Sequence, residues 1–150
     1  MNKSPILQVQ VLSGSEDLGL PAYATEGSAG LDLKASLREP LVLKPGERGM
    51  VPTGLMMAIP FGYEGCLRPR SGLAAKLGLT LTNAPGTIDS DYRGEVKVLL
   101  VNLGQEPITL NRGERIAQLL ISPVAHVQVM KVESVNETRR GDGGFGHTGV

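Results

Sequence analysis

The sequence predicts an all-β domain, folded as a double-sheet jelly roll or a barrel. Three observations carry that prediction. Short runs of aliphatic and β-branched residues recur along the 150-residue chain. Single turn-forming residues separate these runs, because the 20 glycines and 10 prolines are spread out rather than arranged in a repeat. Only one short segment has the composition of a helix. Many short strands with tight connections are typical of sandwiches and barrels.

The strands predicted in the N-terminal half are short, and turn residues mark their ends. They cover residues 9–12, 31–33, 41–43, 49–51 and 55–59. The tetrapeptide Lys44-Pro45-Gly46-Glu47 ends the third strand, since proline and glycine suit the central positions of a turn. The tripeptide Pro60-Phe61-Gly62 ends the fifth.

The strongest strand prediction covers residues 95–102. Val96, Val98 and Leu100 share one face there, because side chains alternate along a strand. Leu99 and Val101 lie on the other face, so we expect the later half to be buried on both sides. Further strands are predicted at 108–110 and 116–121, with a weaker one at 127–132. The single helix is predicted at 73–77, with Ser71 capping its start and Gly78 ending it.

Composition excludes several classes of function. The 15 basic residues balance 15 acidic ones, whereas a nucleic-acid-binding protein usually carries a basic excess. The only cysteine, Cys66, lies in a strand-like run, which indicates a core residue and a reducing compartment. No apolar stretch approaches the length of a membrane span, and residues 1–5 do not resemble a signal peptide. We therefore expect a cytoplasmic protein that binds neither nucleic acid nor membranes.

Two segments have residues suited to phosphate chemistry, and each has an ordinary structural alternative. Arg70, Ser71 and Gly72 precede the predicted helix, where free amide groups attract anions. The same residues could instead be a helix cap and a surface charge. Asp89, Asp91 and Glu95 form an acidic run that could supply a general base or contact magnesium. Taken alone, that run is more typical of an acidic turn.

Isolated polar residues give weaker signals. Asp32 and Gln118 interrupt apolar strands, so each is either satisfied structurally or faces a site. His126 and His147 lack the spacing of metal ligands, and we predict no zinc site.

The chain divides into a predicted jelly-roll domain at 1–137 and a flexible C-terminal arm at 138–150. The arm contains too few apolar residues to fold alone, which favours a frayed tail. However, its single Phe145 lies among glycines with Arg140 upstream, and glycines allow backbone amides to approach phosphate closely.

Five segments occur in a fixed order along the chain. They are Ala29-Gly30-Leu31-Asp32-Leu33, Pro69-Arg70-Ser71-Gly72-Leu73, residues 83–95, Arg112-Gly113-Glu114-Arg115-Ile116-Ala117-Gln118, and residues 140–149. In this order they resemble the five motifs of the trimeric dUTPase family, and the resemblance extends from about residue 22 to 149. The third and fifth segments resemble the family almost residue for residue.

The resemblance implies a fold, an activity and an assembly. The fold is the dUTPase-like β-clip, a jelly roll. The activity is magnesium-assisted attack of water on the α-phosphate of dUTP, giving dUMP and pyrophosphate. This reaction limits uracil incorporation into DNA and supplies dUMP for thymidylate synthesis. The assembly is a homotrimer in which each active site takes motifs from all three chains.

The resemblance also implies residue roles at the base, the sugar and the attacking water. Asp89 matches the aspartate that orients and deprotonates the water. Tyr92 matches the aromatic residue under the deoxyribose, and Asn83 matches the residue that reads the uracil edge. Thr87, Ile88 and Lys97 match positions that border the same pocket.

The phosphate side is assigned in the same way. Arg70, Ser71 and Gly72 match phosphate-binding residues. Asp32 and Gln118 match residues around the metal-bound waters and the α-phosphate, with Mg²⁺ itself held mainly by the triphosphate. In the arm, the phenylalanine stacks on uracil and the arginine clamps the γ-phosphate. The matching arm residues are Arg140, Phe145, Gly146, His147 and Thr148.

Three positions depart from the family pattern without removing a catalytic group: Lys34, Asp142 and His147. Two alternatives remain, a dCTP deaminase of related fold and a non-catalytic nucleotide-binding module. The intact segment around Asp89 and the complete arm weigh against both.

Overall fold

The computed structural model describes residues 4–145 and 147. It contains eleven β-strands and one short α-helix. The strands are β1 (Gln8–Val11), β2 (Ala22–Tyr23), β3 (Leu31–Lys34), β4 (Leu41–Leu43), β5 (Arg48–Ala58), β6 (Tyr63–Arg68), β7 (Leu79–Leu81), β8 (Gly86–Ile88), β9 (Glu95–Asn102), β10 (Ile108–Leu110) and β11 (Arg115–Pro123). The helix α1 is Ser71–Leu77, and a single 3₁₀ turn covers Glu16–Leu18.

The strands form two main antiparallel sheets and one short ribbon. The first sheet has the order β1-β5-β9-β7, and the second has the order β2-β3-β11-β6-β8. Strands β10 and β4 form the ribbon. The predicted all-β jelly roll with one short helix is confirmed.

Alternating aliphatic side chains from both sheets form the core. Val98 of β9 is fully buried, as are Leu33 of β3 and Leu119 of β11. The alternate positions Leu99 and Val101 are only half-buried in the single chain. The prediction for this strand is therefore confirmed for its inner face, whereas its outer face is only partly covered.

Strand β5 joins two predicted strands, 49–51 and 55–59, into one. The register of β5 against β9 shifts between Pro52 and Met56, which marks a bulge. Gly54 lies in the bulge with a φ of +69°, a conformation that favours glycine. Its amide donates a hydrogen bond of 2.9 Å to the Glu95 carboxylate. Because the chain continues through the bulge, the turn expected between the two runs does not form.

Two local predictions are wrong. The segment 127–132 forms no strand, because its residues are exposed and pair with no strand in the described part of the chain. Ser71 does not cap α1, because it is itself the first helical residue. The cap residue is Arg70, whose backbone is extended. Its carbonyl oxygen accepts hydrogen bonds from Leu73 and Ala74.

Arg112, in the turn between β10 and β11, ties several loops together. Its guanidinium donates hydrogen bonds to the Asp17 carboxylate and to the carbonyl oxygens of Gly14 and Leu37. The side-chain hydrogen bonds between Arg112 and Asp17 lower the pKa of Asp17 below its ordinary value of 3.8 and raise the pKa of Arg112. The ion pair therefore stabilises this end of the fold while Asp17 is charged.

After β11 the chain has no further helix or strand among the described residues, and residues 124–140 are exposed. Within residues 4–145 and 147, no helix is long and apolar enough to cross a membrane. Cys66 is buried in β6, as its strand-like surroundings predict.

Candidate functional site

Outside the C-terminal arm, the sequence-predicted site residues lie in two separate clefts. The first cleft, of about 440 Å³, is lined by Asn83, Thr87, Ile88, Asp89, Tyr92 and Lys97 together with Met50, Leu67, Gly86, Glu95, Val96 and Leu99. The second cleft, of about 470 Å³, is lined by Asp32, Arg70, Ser71, Gly72 and Gln118 together with Ala24, Ser28, Ala29, Gly30, Leu73 and Lys76. Within the described residues, no lining residue belongs to both.

The second sheet explains why the two clefts are apart. Strand β3, which carries Asp32, and strand β8, which leads to Asp89, are separated by β11 and β6. Three strand spacings correspond to about 14 Å. The two clefts of a single chain are therefore separate.

The connection between β7 and β8 forms one wall of the first cleft. β7 pairs with β9 in the first sheet, whereas β8 pairs with β6 in the second. Residues 82–85 therefore cross from one sheet to the other and carry Asn83 into the cleft. A Cβ added at Gly86 would lie 3.0 Å from the Asn83 amide nitrogen, so the absence of a side chain there lets Asn83 fold back over β8.

A tight turn after β8 carries Asp89 and Tyr92. The Tyr92 amide donates a hydrogen bond of 3.2 Å to the Asp89 carbonyl oxygen. The Arg93 guanidinium donates to the carbonyl oxygens of Ser90 and Tyr92, each at 2.8 Å. These bonds fix the turn so that the exposed Asp89 and the Tyr92 ring both line the cleft.

Strand β9 forms the opposite wall. Lys97 forms a long ion pair with Glu95, at 3.8 Å, and about half of its side chain is exposed. Glu95 is held in turn by the amide of Gly54 in the β5 bulge. The half-buried Leu99 and the exposed Met50 supply apolar surface beside these charges.

Asp32 is the centre of a charged cluster in the second cleft. Its two carboxylate oxygens lie 3.1 Å from Arg70 Nε and 3.0 Å from an Arg115 guanidinium nitrogen. The side chain of Asp32 is 16% exposed, so solvent only partly screens the pairs. Asp32 therefore orients Arg70, whose Nη1 also donates a long hydrogen bond of 3.5 Å to the Arg115 carbonyl oxygen. Arg70 Nη2, which has no hydrogen-bond partner among the described residues, remains available to an anion.

Gln118 is held beside this cluster by packing and by one hydrogen bond. Its amide nitrogen donates to the Pro69 carbonyl oxygen at 3.0 Å. A Cβ added at Gly30 would lie 2.5 Å from the Gln118 amide oxygen, so only glycine leaves room for this side chain. Ser71 and Gly72, at the exposed start of α1, border the cleft on the other side.

The arm contacts neither cleft in the described hydrogen bonds. Arg140 Nε donates to the Gly143 carbonyl oxygen at 2.7 Å, and the His147 amide donates to the Gly144 carbonyl oxygen at 3.0 Å. Phe145 is fully exposed. The predicted site residues Gly146 and Thr148 lie outside the described residues.

Several residues that the sequence analysis did not assign also belong to the clefts. Arg115 pairs with Asp32, and Gly30 and Lys76 line the second cleft. Glu95, which the sequence placed in an acidic run, lines the first. Gly30 and Arg115 lie within the five ordered segments, so those segments contained the signal for them. Lys76 lies on a short helix, and nothing in the helical pattern distinguishes it from a surface lysine.

A family model described as dUTPase matches residues 16–149. A deoxyuridine 5'-triphosphate nucleotidohydrolase of Aquifex aeolicus is 62% identical over 145 residues, covering 97% of this chain and 97% of that protein. One of Rhizobium johnstonii is 56% identical over 149 residues, covering 98% and 96%.

Solved structures are similar over almost the whole fold. A mutant dUTPase of Staphylococcus bacteriophage 80alpha, solved with dUpNHpp, has a TM-score of 0.87 at 28% identity and covers 98% of this chain and 100% of that chain. A mutant dUTPase from phage phi11 of S. aureus, described with a structural Mg(II) ion, has a TM-score of 0.77 at 27% identity, covering 86% and 97%.

Proposed function

The chain belongs to the dUTPase family, and from this membership we infer that it is a dUTP diphosphatase. It hydrolyses dUTP to dUMP and pyrophosphate. The observation that carries the inference is the grouping of the family-matched residues. Outside the arm, those matched to base, sugar and water line the first cleft, and those matched to phosphate and to the metal-bound waters line the second.

We assign the role of general base to Asp89. Its carboxylate lies exposed at the wall of the first cleft, where it can accept a proton from a water molecule. That water attacks the α-phosphorus and displaces pyrophosphate. The oxygen of the water remains on dUMP, and its proton passes to Asp89. Phosphoryl transfer depends mainly on positioning and charge neutralisation, so one oriented carboxylate is sufficient at this position.

Base and sugar recognition is assigned to the rest of the first cleft. Asn83 and the backbone of the neighbouring β8 read the uracil edge, with Thr87 and Ile88 as the pocket wall. Cytosine presents a donor where uracil presents an acceptor, and each buried unpaired group costs about 1–3 kcal/mol. Tyr92 lies under the deoxyribose, and Lys97 borders the pocket.

Phosphate recognition is assigned to the second cleft. Arg70 supplies a charged, forked donor for phosphate oxygens, and Asp32 holds that fork in place. Ser71 and Gly72 supply a hydroxyl and a close backbone approach. Gln118 completes the cleft and contacts the α-phosphate. This arrangement neutralises the triphosphate without a basic excess in the whole chain.

The donor set fits a magnesium ion held mainly by the triphosphate. Among residues 4–145 and 147, no group of three or more His, Cys, Asp or Glu side chains could hold a metal ion. Asp32 is the only acid among the described residues that line the second cleft, so it would contact the ion through water. When bound, magnesium neutralises charge on the phosphate oxygens.

We infer a homotrimer with shared sites, because the residues matched to one substrate lie in two separate clefts, each of which is then a half-site. One triphosphate must contact both half-sites, and we propose that the first cleft of one copy meets the second cleft of another. The half-buried Leu99 and the exposed Met50 at the rim of the first cleft supply apolar surface for that contact.

The C-terminal arm, residues 138–150, is proposed as a separate functional unit that closes over the joined site. There Phe145 stacks on uracil and Arg140 contacts the γ-phosphate, together with Gly146, His147 and Thr148.

The reducing compartment suggested by the single buried Cys66 supports a cytoplasmic location. There the enzyme would act on free nucleotides rather than on nucleic acid.

Nucleotide turnover tests the proposed function. Pyrophosphate release is measured with magnesium from dUTP, dCTP, dTTP and UTP, with ammonia monitored in parallel. Rapid release from dUTP alone is the expected result. Ammonia release from dCTP would instead identify a deaminase, and no turnover of any nucleotide would identify a binding module.

A further inference from the structure

The Tyr92 ring is held at both its hydroxyl and its edge. The hydroxyl donates a hydrogen bond of 3.0 Å to the Glu95 carbonyl oxygen. The ring edge lies against Gly94, two residues further along the chain. Because Tyr92 is 45% exposed and lines the first cleft, these two contacts determine which ring surface faces a bound sugar.

Gly94 leaves the space that the ring occupies. A Cβ added at Gly94 would lie 2.9 Å from Tyr92 Cε2 and closer still to Cζ and the hydroxyl oxygen. A tyrosine ring is rigid, so it cannot move only its tip away from such a contact. It must rotate as a unit about its side-chain torsions.

The backbone conformation of Gly94 does not itself require glycine. The glycines with positive φ in the described chain include Gly54, Gly62 and Gly78, but not Gly94. No positive φ therefore requires glycine at this position, and the conflict of an alanine there is with the Tyr92 ring. This separates Gly94 from glycines that serve a turn or a bulge.

We propose that Gly94 is a specificity-determining position for the sugar, acting through the placement of Tyr92. The proposal rests on the proposed function, in which Tyr92 lies under the deoxyribose. With glycine at 94, the ring stays where a ribose 2′-hydroxyl would collide with it. With any side chain at 94, the ring moves, and the difference between deoxyribose and ribose is reduced.

The Gly94→Ala variant tests the proposal, with Gly27→Ala as its matched control. Gly27 also has no positive φ, and nothing lies within 4 Å of a Cβ added there. The measured quantity is kcat/KM for dUTP divided by kcat/KM for UTP. We expect this ratio to fall roughly tenfold or more in Gly94→Ala, because a misplacement of about 1 Å has effects of that size or larger. We expect no change in Gly27→Ala.

A double-mutant cycle identifies the ring as the cause. In a Tyr92→Ala background, Gly94→Ala should change the ratio no further, because there is no ring to displace. An unchanged ratio in Gly94→Ala, or an equal fall in both backgrounds, would overturn the proposal. If Gly94→Ala does not fold, a folded double variant supports the ring conflict. An unfolded double variant beside a folded Tyr92→Ala contradicts it.

The preference of the wild-type protein for dUTP over UTP distinguishes a failure of the proposed function from a failure of the proposal on Gly94. If it does not prefer dUTP to UTP, the proposed function fails before Gly94 is considered. If it does prefer dUTP and Gly94→Ala keeps the same preference, only the proposal on Gly94 fails.

Discussion

The Asp89 side chain combines exposure with a fixed backbone. Its carboxylate lines the first cleft, and its carbonyl oxygen is bound by the Tyr92 amide. The general base that we propose at this position needs an unpaired carboxylate and a constant position, and the turn supplies the second requirement. Asp32 differs, because both of its oxygens are paired with arginines and it therefore serves orientation.

Replacing Asp89 by asparagine should remove turnover and keep binding. The amide is nearly isosteric but cannot accept the proton, and loss of a general base typically costs about 10²–10⁴-fold in rate. Single-turnover kinetics and equilibrium binding of a non-hydrolysable dUTP analogue measure the two effects separately. Normal turnover in this variant would exclude Asp89 as the base.

The Asp17–Arg112 pair predicts a specific dependence of stability on pH. Since the pKa of Asp17 is lower in the folded state, its charge stabilises the fold above the ordinary value of 3.8. That contribution is lost as the pH falls below 3.8 through the folded-state pKa.

Urea unfolding of the wild type and of Asp17→Asn measures this contribution directly. The difference in their free energies of unfolding should stay constant near neutral pH and shrink below about pH 3.8. The comparison cancels the titration of the other carboxylates. A difference that stays constant down to about pH 2.5 would show that the ion pair is not responsible.

The strand predicted best has one clearly buried face and one more exposed face. The alternation in β9 predicted its bounds, Glu95–Asn102, and its buried face. The short strands β2, β7 and β8 were not predicted, although the equally short β4 and β10 were, because two or three residues give too little periodicity to separate a strand reliably from a loop. These strands are defined by their pairing with β3, β9 and β6, respectively, and that pairing is visible only in three dimensions.

The site could be predicted only as an ordered set of segments. Asp89 and Arg70 were identified from that order, yet the sequence gives no measure of the distance between them. The pairing of Asp32 with Arg115 and the contact of Gly94 with Tyr92 also required coordinates. The first contact joins segments that are distant in sequence, and the second depends on the direction of the Tyr92 ring, so neither leaves a pattern in a single sequence.

The arm is the element whose role is most separable from the fold. Its described hydrogen bonds are internal, and Phe145 is fully exposed. Deleting residues 141–150 should therefore leave a folded trimer with strongly reduced activity, since an arm that closes over substrate excludes water.

Thermal unfolding, sedimentation and dUTP turnover measure the three properties of the deletion variant. A full loss of activity with an unchanged melting temperature agrees with a lid. Dissociation of the trimer on deletion would show that the arm is a structural element instead.

At the scale of the whole molecule, the two half-sites are the main feature to explain. One chain presents the first cleft and the second cleft about three strand spacings apart, with no lining residue in common among the described ones. In the cyclic trimer that we propose, one repeated contact brings the first cleft of each copy against the second cleft of its neighbour. This assembly gives three sites of equal composition.

Mixing two inactive variants tests this central claim most directly. Asp89→Asn removes the base of the first cleft, and Arg70→Ala removes the phosphate donor of the second. The two variants are refolded together in equal amounts. A shared site then receives Asp89 from one copy with a probability of about one half and Arg70 from its neighbour with a probability of about one half. The mixture should therefore recover about a quarter of the wild-type activity. A mixture of Asp89→Asn with Asn83→Ala, both in the first cleft, is the control and should stay at the level of the separate variants. If the Asp89→Asn and Arg70→Ala mixture also stays there while mixed trimers form, both half-sites act within one chain, and the shared-site account is contradicted.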